Sequence, residues 1–580
     1  MKKLYSTIVL CITIAVNALA QTSMLNTNTA AEQIMLGSYN PAIYSASTII
    51  SDPAIISTDI NNRISTDSLL SYLEGLRIFQ NRNTGSDTLS ASKGIGAARR
   101  WVFDKFQQFS SQNENRLVVS YLQFDLNVCN ITQHRNVMAV LPGSDTSDKS
   151  IIIIEGHMDS RCAVLCDTAC IAEGMEDNGS GTALVMELAR VMSKYTFKNT
   201  IVFITTIGEE QGLVGAEAIA DYAVAKGIKI KAVLNNDVIG GVMCGKTSSP
   251  PSCPGFNEID STHVRLFSFG GFNSMHKQLA RYIKLEYKEM LLPAAAVPMG
   301  IHIMTDEDRT GRGGDHIPFR RNGFAAMRFT SANEHGDANV TAPGYDDRQH
   351  TSDDILGVDT NADTIIDSLF VNLNYLARNA VINGNAAAMA AQGVKTPTFN
   401  FTTIAGQQAT DLSISITDPA NYSKYRVAIR TTGNDWDSVY TFNTNKCTIA
   451  NMPQANYIVS VAAVDNNNIE SLFSAEQMGK LSVQNQTNTH RNIELLQNVP
   501  NPFDEKTMIS VKVNSNIQYK EAYINITDIQ GRIIKRLPVN LQPGINEVIY
   551  EHGYNATGTY GYTLVIDGKP IQTNRMVFAN

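Results

Sequence analysis

The chain has 580 residues, 43% of them hydrophobic and 18% charged, and a formal net charge of −8 at neutral pH. That length calls for several domains, and the acidic balance argues against nucleic acid or an anionic membrane surface as a partner. Met1, Lys2 and Lys3 precede an apolar run from Leu4 to Val16 and then Ala18-Leu19-Ala20, the pattern of a secretory leader (1–20) cleaved before Gln21. Beyond it no segment approaches the about 18 consecutive apolar residues of a membrane helix, so no transmembrane segment is expected after cleavage.

Residues 21–57 are rich in Ser, Thr, Asn and Ala and read as an N-terminal arm or a propeptide, with the arm favoured. Helical spacing of apolar residues follows at 68–79 and 96–109, then strand-like runs at 116–126 and 135–141. Four isoleucines, 151–154, lead into EGHMDSR with His157 and Asp159. Asp177 heads DNGSGTALVMELARVM, where Leu184, Leu188 and Val191 mark an apolar helix face. The β-branched run 200–207 leads into GEEQGLVGAEAIA, which carries Glu209 and Glu210 toward a helix. KAVLNN, 231–236, ends at Asp237, and GFAAMRF, 323–329, precedes a loop and His350. The pattern 367–382 reads as the last helix of this unit, and AAAMAAQGVKTPT as a linker that few contacts should cross, so that a unit ending near Ala390 should fold alone. Strands alternating with helices over 58–390 predict an α/β fold with a mixed, largely parallel sheet, two small all-β sandwich domains following at 396–482 and 493–580.

His157, Asp177, Glu210, Asp237 and His350 are imidazoles and carboxylates, the donors zinc accepts, and four of the five follow or end a strand-length apolar run. Parallel sheets bind ligands at the carboxyl ends of their strands, where these residues fall. Two Zn2+ ions bring four positive charges, which three carboxylates and one bridging hydroxide neutralise, and a short carboxylate such as Asp177 suits a bridge. Glu209 adjoins a ligand without being needed as one, which leaves it free to act as general base. Taken singly, a His-x-Asp, a Glu-Glu helix start or an Asp-Asn-Gly turn is commonplace. Their order, each beside a strand, carries the reading of metal-assisted hydrolysis.

In order, HMDSR, EDNGSG, GEEQGLVG, NNDVIGG, GGDHIPF and QHTSDD resemble the blocks of the leucyl-aminopeptidase-like di-zinc exopeptidases, a family related to glutamate carboxypeptidase and glutaminyl cyclase. The resemblance covers roughly residues 58–385. It implies one zinc on His157, Asp177 and Asp237, and another on Asp177, Glu210 and His350. It further implies that Asp159 orients His157, that Glu209 is the base, and that the Asp177–Asn178 peptide bond is cis. Asp315 and His316 match a family block and are expected to shape the substrate pocket. The family's usual tyrosine ahead of that pair is missing from DRTGRGGDHIPF; Arg309 and Arg312 take its place as candidates, and the oxyanion donor stays open. The expected activity is an aminopeptidase acting on peptides or proteins, with a glutaminyl cyclase-like acyltransferase or a degenerate surface binding module as alternatives.

Without Cys11 of the leader, seven cysteines remain. An exported protein predicts disulfides: one within Cys162, Cys166 and Cys170, and another joining Cys244 to Cys253, with Cys129 and Cys447 as buried thiols. In 396–482, Tyr457 followed by alternating valines and Asp465 resembles the tyrosine-corner strand of a fibronectin type III-like sandwich. In 493–580, LLQNVPNPF, ITDIQGRIIK and GTYGYTLVIDGK resemble the C-terminal sorting domain of type IX secretion cargo in Gram-negative bacteria. That resemblance implies the type IX secretion machinery as a partner and a secreted or cell-surface destination reached through the periplasm.

Overall fold

The computed structural model describes residues 22–579 apart from 245–254, 256, 309–311, 333–347, 364, 406–409, 432, 454, 480–492, 504–505, 529–531 and 553–556. The leader, Arg309 and Cys253 therefore lie outside the described residues. Two compact units divide at Ser482 and Val483.

The first unit is built on a nine-stranded sheet of β1 (Thr22–Asn26), β2 (Val118–Val128), β3 (Ile131–Leu141), β4 (Ser150–His157), β5 (Thr200–Thr206), β6 (Lys229–Asn236), β7 (His263–Phe267), β8 (Gly300–Ile303) and β9 (Ala326–Ser331). Their order is β1-β2-β3-β5-β4-β6-β9-β7-β8, and the central strands β5, β4, β6 and β9 pair in parallel. β1, β2 and β3 add on antiparallel at one side and β7 at the other. Helices cover both faces, which is why β4 and β5 are apolar without alternation. Each of the four isoleucines is at most 2% exposed, and burying one stabilises the fold by roughly 1.5–3 kcal/mol.

The N-terminal arm is woven into the unit: β1 extends the sheet edge, and Ala31, Ile34 and Met35 enter the main core. Two other segments differ from expectation. The last helix begins at Leu373, because Ser368–Leu369 instead pairs with Gly357–Val358. It then runs on to Gln392, so the alanine-rich stretch expected as a linker is buried helix. Alanine is the best helix former, and its small side chain suits a crowded interior. Glu209 and Glu210 stand in a turn ahead of the helix Val214–Lys226, not within it.

The strands Thr398–Ala405, Thr410–Thr417 and Lys446–Met452 form one antiparallel sheet, and Lys424–Arg430, Ser438–Phe442, Tyr457–Val464 and Gln477–Gly479 another. Their facing side chains make a separate small core. The back of this sandwich nevertheless adds Ala428, Ala462, Ile469 and Phe473 to the core of the nine-stranded sheet. The second unit, Val483–Asn580, likewise pairs a three-stranded with a four-stranded antiparallel sheet around its own core.

Disulfides join Cys162 to Cys170 and Cys129 to Cys166. Cys129 is thus not a thiol: the β2–β3 turn that carries it lies against the 162–170 loop. Cys244 is disulfide-bonded, and Cys447 is a buried free thiol. Among the described residues no helix is long and apolar enough to cross a membrane.

Candidate metal centre

His157 is the last residue of β4, Asp237 follows β6, and the Glu209–Glu210 pair follows β5. The turn that delivers the pair depends on Gly208, whose φ of 71° favours a residue without Cβ. Asp177 sits in an irregular turn ahead of the buried helix Gly181–Met192, and its bond to Asn178 is cis. His350 is reached from the far loop in a left-handed conformation, φ 59°.

These elements bring the two imidazoles to opposite oxygens of one carboxylate. His157 Nε2 lies 3.2 Å from Asp177 Oδ1, and His350 Nε2 lies 3.0 Å from Asp177 Oδ2. On the first side Asp237 Oδ1 is also 3.2 Å from His157 Nε2, with Glu209 Oε2 at 4.0 Å. On the second side Glu210 Oε2 is 3.2 Å from His350 Nε2. The donors fall into two groups compact enough to hold an ion each: His157, Glu209 and Asp237, and Asp177, Glu210 and His350.

The surrounding shell fixes this geometry. Asp159 Oδ1 lies 3.5 Å from His157 Nδ1, and its two oxygens accept the backbone N–H groups of Glu209 and Glu210 at 3.3 Å each. One buried carboxylate therefore aligns three site residues. Asp354, not foreseen from sequence, accepts the N–H groups of Glu176 and Asp177 at 2.8 and 2.9 Å. Arg328 Nη2 pairs with Asp237 Oδ2 at 3.0 Å and leaves Oδ1 facing inward. Fully buried Arg82 donates from Nε to Met158 O at 2.7 Å and from Nη2 to Gly174 O at 2.9 Å, tying the chain just after His157 to the chain just before Asp177.

Electrostatics point to cations. Burial alone would lower the pKa of His157, but Asp237, Glu209, Asp159 and Asp177 outweigh it and hold the imidazole well above its usual range. His350 is likewise pushed up to about 9, with Glu210 and Asp177 overcoming burial. Burial, reinforced by Asp237, Glu210 and Asp315 against the opposing pull of His157, raises the Glu209 carboxyl well above the carboxylate range. Without a metal, protons supply the positive charge that this cluster demands. Glu210 Oε1 is buried with no hydrogen-bond partner, an acceptor that a cation would satisfy. Donor types, orientation and this orphaned oxygen all fit zinc.

The remaining candidates stand further out. Arg312 donates to Gln349 Oε1 at 2.5 Å, beside His350. Asp315 and His316 are wholly buried. Thr206 donates to Asp315, whose pKa burial raises to about 7, and His316 faces the carbonyl of Glu307 with its pKa lowered by burial to about 4. Sequence reasoning also passed over Arg161, whose Nε lies 2.6 Å from Glu210 Oε2 and whose Nη2 lies 2.7 Å from His350 Nδ1.

Residues 136–373 match the model of Peptidase family M28. A probable zinc metalloprotease of Pyrenophora tritici-repentis is 32% identical over 293 residues, which cover 48% of this chain and 65% of that protein. Another, from Phaeosphaeria nodorum, is 31% identical over 304 residues, 47% of this chain and 60% of that one. The chain thus spans somewhat under two thirds of the length of these relatives. Among solved structures, the Legionella pneumophila LapA aminopeptidase aligns at 18% identity with a TM-score of 0.43, over 60% of this chain and 78% of that one.

Proposed function

We propose that this chain is a zinc-dependent exopeptidase, an aminopeptidase that removes N-terminal residues from peptides, and that its centre takes two Zn2+ ions. The observation that carries this reading is the placement of Asp177 between His157 and His350, one oxygen toward each. The M28 match over 136–373 and the zinc metalloprotease relatives support the same chemistry.

In this reading His157, Asp177 and Asp237 hold one ion, and Asp177, Glu210 and His350 the other. Bound zinc polarises the scissile carbonyl and lowers the pKa of water. Glu209 takes a proton from the attacking water and delivers it to the departing amine; its position on the His157 side, close to but distinct from the bridge, suits that task. Asp159 keeps the imidazole of His157 and the peptide carrying Glu209 aligned through the cycle. The excess of carboxylates favours a substrate's cationic α-amine over a blocked, neutral one.

Cleavage of a peptide series in free and N-acetylated forms tests the proposal. Release of the N-terminal residue from free peptides alone is expected. Cutting of both forms at the same internal bonds would make the protein an endopeptidase.

The other two regions extend the proposal. In the 396–482 sandwich, Tyr457 Oη donates to Pro453 O at 2.5 Å, a bond from the strand back to the chain four residues upstream that supports a fibronectin type III-like assignment. For 493–580 we retain type IX sorting, and with it delivery to the cell surface or medium. In a type IX-competent host, a chain lacking 493–580 should accumulate in the periplasm; normal surface delivery would refute the sorting role.

A further inference from the structure

The sandwich that follows the catalytic sheet is joined to it by buried charge and not by a flexible tether. Glu476, at the start of its last strand, is 4% exposed and receives three charged contacts. Arg430 of the sandwich pairs with it at 2.7 and 2.8 Å, and Arg281, from the catalytic helix Met275–Glu286, reaches Oε1 at 2.8 Å. Arg281 is itself 1% exposed, so its cation is desolvated at this interface and takes its counter-charge from the sandwich.

The same guanidinium extends the connection toward the metal centre. Arg281 Nε donates to the backbone carbonyl of Asn434 at 2.6 Å, in the loop joining Lys424–Arg430 to Ser438–Phe442. The Asn434 side-chain amide then donates to Ile303 O at 3.1 Å and to Thr305 Oγ1 at 2.9 Å. Ile303 ends β8, and the chain beyond it leads to Asp308, which pairs with Arg328 at 2.9 Å. Arg328 in turn holds Asp237. Polar contacts therefore tie the sandwich to one end of residues 303–308 and a carboxylate of the metal centre to the other, with the backbone between them.

We infer that the sandwich is an integral part of the unit that carries the metal centre and that Asn434 is a positioning residue, fixing the 303–308 segment that supports Asp237 through Arg328. Both amide protons of Asn434 are spent on that one segment, and its own carbonyl is held by the buried arginine. The kinetic consequence rests on the hydrolase reading, whereas the structural consequence does not.

The test compares full-length Asn434→Ala with Gln278→Ala. Gln278 donates to Ser460 Oγ at 2.7 Å and Ser474 O at 2.9 Å across the same interface and accepts from Arg281 at 3.1 Å, so its loss weakens the interface, Arg281 included, while leaving the Asn434 bonds to 303 and 305 in place. Amide hydrogen exchange of residues 303–308 should rise about tenfold in Asn434→Ala and stay near wild type in Gln278→Ala, since lost hydrogen bonds lower the local opening energy. In the zinc-loaded enzymes, Asn434→Ala should lower kcat/KM for peptides by about fivefold or more, as expected of a residue that supports a metal ligand, and Asn434→Gln should restore part of it. Equal exchange in the two variants, or an unchanged 303–308 segment in Asn434→Ala, would overturn the inference. If wild type hydrolyses no peptide, the functional proposal fails, and the exchange comparison still decides this one.

Discussion

Asp354 holds Asp177 by its backbone: the carboxylate accepts the Asp177 N–H at 2.9 Å while its other oxygen accepts the Glu176 N–H at 2.8 Å. The residue that faces both imidazoles is thus fixed from behind by a carboxylate 177 positions away in the sequence.

Asp354→Asn should therefore weaken the centre without touching a ligand. The amide offers one acceptor oxygen to two N–H groups, and its NH2 opposes the other. Loss of such supporting contacts typically costs about 10- to 100-fold in metal affinity. Zinc titration against a chromophoric chelator measures it, and wild-type affinity would contradict the assigned role.

Glu209→Gln removes a base and keeps the ligands assigned to both ions. Turnover should fall by about 10²–10⁴-fold, the usual worth of general-base catalysis, with zinc content unchanged. Near-normal turnover, or loss of one zinc, would show that Glu209 has been assigned the wrong role.

In the metal-free protein the pKa of His350 rises from 6.5 to about 9. A pKa raised by folding adds stability that is complete below the unfolded value and disappears as pH climbs through the folded one. His157 and Glu209 are raised too and carry the same sign. The metal-free Tm should accordingly drop between pH 6.5 and 9, whereas zinc, which competes with these protons, should bind more tightly over the same interval. The gap in Tm between loaded and metal-free protein should widen with pH; a constant gap would mean that these imidazoles do not take up the metal.

The structure gives three reasons to predict that a chain ending near Ala390 would not stand alone. Truncation there cuts the helix Leu373–Gln392 before its end, uncovers Ala428 and Phe473 partners in the core, and strips Glu476 from Arg281. Such a chain should be insoluble or unfold with a much lower Tm than one ending at Ser482. Scanning calorimetry of the two truncations decides it, and equal cooperative melting would restore the simple linker view.

The nine-stranded sheet was legible because Ile151–Ile154 of β4, Ile201–Ile204 of β5 and Ala232–Leu234 of β6 are apolar runs with a site residue at or a few positions beyond the strand end, and such runs bounded by polar turns read as buried strands. β7 was hidden because Arg265 lies in its interior; it is wholly buried, donating twice to Ser331 O, a pairing that only the fold supplies. Asp354 was hidden for a related reason: in QHTSDD it looks like one more polar loop residue, and its partners are distant in sequence. The disulfide between Cys129 and Cys166 also joins separate elements, whereas Cys162–Cys170 is local and falls within the trio in which one bridge was expected without its partners being fixed. Side chains meeting at strand ends can thus be foreseen when each has its own local signal, while the contacts that hold them have none.

The central claim is a two-ion centre that hydrolyses peptides, and titrating metal-free protein with zinc while following release of an N-terminal residue tests it most directly. Hydrolysis should be absent without metal and reach its plateau at two equivalents per chain, with two zinc ions retained after dialysis. Hydrolysis by metal-free protein, or a plateau at one equivalent with no second ion retained, would contradict the account.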